Sequence, residues 1–369
     1  MRCLILLSLC LLASPSLLSA QQTSPAWSRV QQLQHGINAS EWFAQSRDYS
    51  PERLRSYTTL DDISLMRGMG FDHIRLSIDP AIFDCPAAWH ECERVQILDE
   101  VIAKALSLDL AVIVDLHPSD DYKKQLATSD NAVERFTVLW SQIAEYYSKS
   151  DPSRVFFEVL NEPELNDHYR WGSIEQKAVA EIRGAAPLHT IIVEGGGYAN
   201  IDDLVRMPQF TDANLIFNFH YYEPHIFTHQ GAAWGSPFWI TLRQVPFPAS
   251  PQSIQPAIAT QADDFARWRL TEYGLENWSP GRVQAEMQFV TDWAKRRNVP
   301  LICNEFGVYR KFANPDDRQR WIAIVRQALE HNKIGWTMWD YQGGFGVVTK
   351  QNGATVEDKG VLQALGLSH

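Results

Sequence analysis

The 369-residue sequence predicts an α/β fold, a (β/α)8 TIM barrel with a long loop insertion after strand six, on three observations. Eight short apolar runs alternate with amphipathic stretches. Several of those runs, such as Leu110 to Val114 and Val155 to Leu160, are apolar almost without interruption, as parallel strands buried on both faces are. Most run starts also lie about 25 to 45 residues apart, the length of one βα unit.

The candidate strands are 34–39, 72–78, 110–116, 155–161, 189–194, 214–220, 299–305 and 334–340. Between them, Val95, Leu98, Val101, Ile102 and Ala105 form one helical stripe, and Trp321, Ile322, Val325, Ala328 and Leu329 another. The spacing breaks between strands six and seven, where a stretch rich in proline (Pro246, Pro248, Pro251, Pro256) and tryptophan (Trp234, Trp239, Trp268, Trp278) precedes a helix near 281–297. An excursion after a strand's C-terminal end falls on the catalytic face of a barrel, so this stretch is expected to form a cleft wall or lid.

At the N-terminus, Arg2 and the apolar run Leu4 to Ala13 have the layout of a secretory signal peptide, expected to span 1–20. A single catalytic barrel domain over 21–369 follows, and the expected location is secreted or periplasmic. An exported chain permits a disulfide between Cys85 and Cys92, whereas Cys303, inside an apolar strand, is expected to be a buried free thiol. With 33 Lys and Arg against 44 Asp and Glu, the net charge of −11 disfavours nucleic acid and anionic membrane as partners. There is no CxxC pair and no HExxH, and neither a metal nor a cofactor is expected.

Polar residues at the C-terminal ends of barrel strands point into the site. Here strand two ends with Arg75, strand three with Asp115 and His117, strand four with Asn161 and Glu162, strand six with His220, Tyr221 and Tyr222, strand seven with Glu305, and strand eight with Trp339. Each alone has a structural reading: Glu305 as a helix N-terminal acid, Arg75 as an ion-pair residue, the histidines as satisfied core groups, Trp339 as core. Their joint placement on one rim favours chemistry. Two glutamates on strands four and seven suit cleavage of a glycosidic bond, which needs a proton donor for the leaving oxygen and a carboxylate facing the anomeric carbon. Glu305 would be kept anionic by Arg75 and a tyrosine hydroxyl, and Glu162 protonated by repulsion from the neighbouring carboxylate.

These residues resemble glycoside hydrolase family 5, the cellulase and mannanase family of clan A. The matching elements are Arg75, His117, the Asn161-Glu162-Pro163 triplet, His220 with Tyr222, the Glu305-Phe306-Gly307 triplet, Trp339, and an opening His35-Gly36-Ile37-Asn38, so the resemblance runs from about residue 34 to 341. It implies Glu162 as acid/base, Glu305 as nucleophile, Arg75 and Tyr222 holding Glu305, and Asn161 bonding the sugar 2-hydroxyl. His117 and His220 would line the −1 subsite, with Trp339 stacking under its sugar. It implies a poly- or oligosaccharide substrate cleaved with retention, first among them β-1,4-glucan attacked in endo fashion. Mannan, xyloglucan and exo action on β-1,3-glucan use the same machinery. Two further readings are a catalytically silent carbohydrate-binding barrel and a periplasmic accessory to exopolysaccharide synthesis or turnover, which would still hydrolyse glycans but on a self-made polymer. Trp42, Phe43, Trp171, Trp234 and Trp239 are candidates for more distant subsites.

Overall fold

The computed structural model describes residues 24–351 and 353–367. The expected signal segment 1–20 lies outside the described residues. Eight parallel strands close into a barrel in sequence order: β1 His35–Phe43, β2 His73–Ile78, β3 Ala111–Leu116, β4 Val155–Glu158, β5 Thr190–Glu194, β6 Leu215–Tyr221, β7 Leu301–Phe306 and β8 Gly335–Met338. Strands β1 and β8 pair to seal it. Helices intervene, among them Leu60–Gly68, Glu93–Ser107, Asp130–Tyr147, His168–Ala185, Pro280–Arg297 and Pro315–His331. After the barrel, β9 Val348–Gln351 and β10 Ala354–Glu357 form a two-stranded antiparallel sheet.

Most strand ends fall within two residues of expectation, β8 stopping at Met338 so that Trp339 stands just beyond it, and two strands differ by more. β4 stops at Glu158, so Asn161 and Glu162 stand on the loop beyond it rather than in the strand. β1 runs on to Phe43, past the expected 39.

The barrel interior changes character along its axis. At the lower end an apolar cluster of Ile113, Phe156, Ile192, Ile216 and Ile302 is closed by Ala26, Val30 and Leu33 from the N-terminal segment. One inward position higher on each strand the side chains are polar and buried: Asn38, Arg75, Asp115, Glu158, Glu194, Asn218, Asn304 and Thr337. Outside the barrel, the strand faces and helix stripes merge into one large core that includes both sequence-marked stripes. Cys85 and Cys92 are disulfide-bonded, and Cys303 is free and buried.

Three of the proposed sugar platforms belong to this core instead. Trp42 and Trp171 are 1% exposed and Phe43 is fully buried. Their indoles are spent on backbone: Trp42 donates to Leu54 O at 2.7 Å and Trp171 to Glu194 O at 2.8 Å. Trp42→Ala is expected to cost about 3–5 kcal/mol of stability, the usual penalty for deleting a buried aromatic, measured by urea unfolding. A sugar platform would instead lose affinity with little loss of stability.

Candidate active site

The site is built on Arg75, which has no exposed surface. All five guanidinium N–H groups are used. Nε and Nη2 fork onto Glu158 at 2.9 and 2.8 Å, Nη1 donates to Asn38 Oδ1 at 2.9 Å and Glu305 Oε1 at 2.8 Å, and Nη2 also donates to Asn161 Oδ1 at 2.9 Å. Asp115 adds an ion pair at 3.1 Å. These carboxylates raise the affinity of Arg75 for its proton despite burial, so the cation persists.

Glu305 reaches the site through a register shift in β7 between Cys303 and Phe306. The bulge lets consecutive residues face inward: Asn304 donates to Glu158 at 2.6 Å while Glu305 meets Arg75. The other Glu305 oxygen accepts from Tyr222 Oη at 2.8 Å. Burial pushes the Tyr222 hydroxyl well above its ordinary pKa, keeping it a donor.

Glu162 lies beyond β4 with φ +41°, in the left-handed region that a side chain rarely adopts. Its Oε1 is 2.9 Å from His220 Nδ1, and the same nitrogen is 3.6 Å from Glu305 Oε2. One ligand atom from each of Glu162, His220 and Glu305 lies within 4.8 Å of the others. The Glu162 pKa is raised, although about a quarter of the side chain (24%) meets the cleft. The main cause is burial rather than the carboxylate repulsion expected from sequence, and Lys123, His117 and Arg75 oppose it. Burial lowers His220 to about 4 and His117 to about 3, so both rings are neutral at pH 7. His117 sits 3.1 Å from Asp115 and stacks on Trp339 with ring centroids 5.8 Å apart.

The eight residues to which the family resemblance assigns a role therefore meet in one place, and of the other two strand-end residues Asp115 joins them through Arg75 while the Tyr221 hydroxyl bonds to Glu286 on the helix Pro280–Arg297. They line or support a cleft of about 1760 Å³. Its far wall comes from the stretch after β6, as expected, with His225, Trp234, Trp239 and Trp278 on it. His225 and Trp239 stack nearly parallel, 5.6 Å apart, and Trp234, 49% exposed, packs edge-on to Tyr309. Sequence reading missed Glu158, Glu194, Asn218 and Asn304, the buried polar layer beneath the rim. Its signal was present as a polar residue two places after an inward apolar one, as in Phe156 and Glu158 or Ile192 and Glu194.

The sequence profile of the family Cellulase (glycosyl hydrolase family 5) matches residues 33–344. The chain belongs to glycosyl hydrolase family 5. Within reach of this family assignment, Endoglucanase 3 of Fibrobacter succinogenes is 26% identical over 360 residues, covering 91% of this chain but only 53% of that protein, so the chain spans about half its length. Cellodextrinase A of Ruminococcus flavefaciens is 33% identical over 310 residues, covering 81% of this chain and 82% of that protein. Among solved structures, Thermotoga maritima Cel5A in complex with cellobiose superposes with a TM-score of 0.72 at 26% identity, covering 92% of this chain and 99% of that one, with the same values for its complex with mannotriose. As a family 5 member the chain is a glycoside hydrolase.

Beside the site, Asp340 is 1% exposed, with Oδ2 accepting from Ser40 at 2.5 Å and Oδ1 without a hydrogen-bond partner among the described residues. Burial pushes its pKa up to about 7. The folded chain thus binds this proton more tightly than the unfolded chain, whose Asp titrates near ~3.9. The stability this supplies is complete below about pH 4 and is lost as the pH rises through 7. Asp340→Asn should shrink the difference in urea-unfolding free energy between pH 4.5 and 7.5 by about 3 kcal/mol, the stability at high pH rising towards that at low pH because the amide stands in for the neutral acid.

Proposed function

We propose that this chain is a retaining, endo-acting β-1,4-glucanase in which Glu305 is the nucleophile and Glu162 the acid/base. The observation that carries the reading is the pairing of unlike environments within 4.8 Å: Glu305 held by a guanidinium and a hydroxyl, Glu162 held by a neutral imidazole and raised by burial. So short a span fits the ~5–5.5 Å carboxyl separation of retaining enzymes rather than the ~6.5–9.5 Å that leaves room for a water in inverting ones.

In the first step Glu305 attacks the anomeric carbon while Glu162 gives its proton to the departing glycosidic oxygen, leaving a glycosyl ester on Glu305. In the second, Glu162 as carboxylate takes a proton from water, whose oxygen attacks the same carbon and frees Glu305. Arg75 and Tyr222 address the Glu305 carboxylate throughout. Asn161 has its oxygen committed to Arg75, which leaves its amide N–H groups for the sugar 2-hydroxyl. Trp339 and His117 would line the −1 subsite with His220, and Trp234 and Trp239 would serve sugars further along. A cleft of about 1760 Å³ exceeds the ~300–1,000 Å³ of ordinary small-molecule pockets and suits a polymer segment.

The names of the relatives, endoglucanase and cellodextrinase, support a glucan substrate, and the mannotriose complex of Cel5A makes mannan the second polymer to assay. The reading includes export of a single catalytic domain, residues 21–369, after removal of residues 1–20. No helix among the described residues is long and apolar enough to cross a membrane.

Hydrolysis of soluble β-glucan, glucomannan, galactomannan and xyloglucan by the wild type, Glu305→Ala and Glu162→Ala tests the assignment. Glu305→Ala should lose at least about a thousandfold in kcat. Glu162→Ala should lose about 10²–10⁴-fold on polymer but keep reacting with aryl glycosides that need no proton, with turnover restored by azide. The first product observed by NMR should be the β-anomer. Polymer hydrolysis that survives Glu305→Ala overturns the assignment.

A further inference from the structure

Glu194 ends β5 with no exposed surface. Its Oε1 accepts the backbone N–H of Glu162 at 2.5 Å, at the residue with the left-handed φ. Its Oε2 accepts from Asn218 Nδ2 at 2.6 Å and lies 3.9 Å from Nε2 of His220. That ring nitrogen is buried and has no hydrogen-bond partner among the described residues. The opposite nitrogen of the same ring, Nδ1, is the one 2.9 Å from Glu162.

We propose that Glu194 is a positioning residue for the acid/base, anchoring the Glu162 backbone in its left-handed turn and holding the His220 proton on Nε2 so that Nδ1 accepts the proton of Glu162. The inference rests on the reading of Glu162 as acid/base. A neutral imidazole carries one N–H and one lone pair, so placing the proton on one nitrogen fixes the role of the other. The orientation of Asn218 decides which. Its Oδ1 accepts the Asn304 backbone N–H at 2.9 Å, so its amide nitrogen faces Glu194 and donates. Both Glu194 oxygens accept from protein donors, as those of a carboxylate do even where burial raises its pKa well above the ordinary value, and a carboxylate oxygen opposite Nε2 calls for hydrogen on that ring nitrogen. The 3.9 Å gap is of the kind that closes when substrate seals a site. With Nδ1 left as a lone pair, His220 hydrogen-bonds the protonated form of Glu162 and favours it, as the first chemical step requires. With the proton on Nδ1, the ring would donate to the carboxylate and favour the form that cannot protonate a leaving group.

Glu194→Gln is the informative variant. The amide oxygen can keep the Glu162 N–H, which turns the amide NH2, a donor only, towards Nε2 and away from its former donor Asn218, whose amide must turn aside. The ring must then carry its proton on Nδ1. The basic limb of kcat/KM on polymer should move down by about one pH unit, while the acid limb stays. Glu158, Arg75, Asp115, Glu175 and His220 also face Glu194. Around Glu162 stand Lys123, His117, Arg75 and His225, with Asp115, His220 and Glu305. All are the same in both proteins, so the difference between profiles reports position 194. A merely structural role would lower the melting temperature or kcat at every pH without moving the limb, and that outcome overturns the proposal.

The wild type provides a second test that depends on no variant folding. In ¹⁵N spectra of histidine-labelled enzyme, with the His220 signals assigned by their loss in His220→Ala, the ring should show the Nε2–H tautomer, and an Nδ1–H tautomer refutes the proposal. Azide rescue of Glu162→Ala separates the two levels. Its failure removes the acid/base reading itself, whereas rescue together with an unmoved limb in Glu194→Gln removes only the role of Glu194.

Discussion

One buried cation organises the upper half of this barrel. Arg75 carries five N–H donors in a rigid fork, and together they reach four segments: β1 through Asn38, β4 through two bonds to Glu158, the loop after it through Asn161, and β7 through Glu305. A lysine offers three donors from a single point and could not serve four segments at once. Burying a guanidinium is costly unless its partners are complete, and here completeness is what aligns the strands. The price of the arrangement is an excess of acid: Asp115, Glu158, Glu194 and Glu305 share one positive charge, and burial raises the first three, Asp115 to about 6.

The barrel separates its two tasks along its axis. Below, isoleucines, a phenylalanine and the N-terminal plug make an ordinary apolar core. Above, every inward residue is polar, and each is tied to another, between neighbouring strands as with Asn218 to Glu194 or across the barrel as with Asn304 to Glu158. The reacting groups stand on this layer as on a floor. Because the floor is fixed by hydrogen bonds with distinct donors and acceptors, it defines direction as well as position, which hydrophobic packing alone does not.

The fold was legible because parallel strands buried on both faces leave an unmistakable apolar run, and helices between them leave a stripe. The rim was legible because strand ends are where polar residues become worth placing: His117, Glu162, His220 and Glu305 lie at them or a few residues beyond, whereas Arg75, expected at the end of strand two, is the third residue of β2. What stayed hidden has physical causes. Glu158 and Glu194 are the last residues of β4 and β5 and lie buried beneath the rim, where one polar residue closing an apolar run reads only as a strand end until its partners on other strands are in view. Trp42 and Trp171 misled because an indole that stacks on sugar and one that seals a core are the same residue in sequence; only burial and the destination of the N–H tell them apart. The β7 bulge is invisible as well, since it changes which face Glu305 meets without changing composition.

Cys303 sits two residues before Glu305 on that bulged strand, fully buried, its thiol donating to the Glu305 carbonyl at 3.3 Å. Burial also pushes its pKa far up, so in the closed barrel it neither meets reagents nor forms the reactive thiolate. With Cys85 and Cys92 joined, it is the one free thiol among the described residues. Its alkylation rate therefore clocks how often β7 comes loose, giving the strand that bears Glu305 a chemical reporter already in place, with no label to introduce.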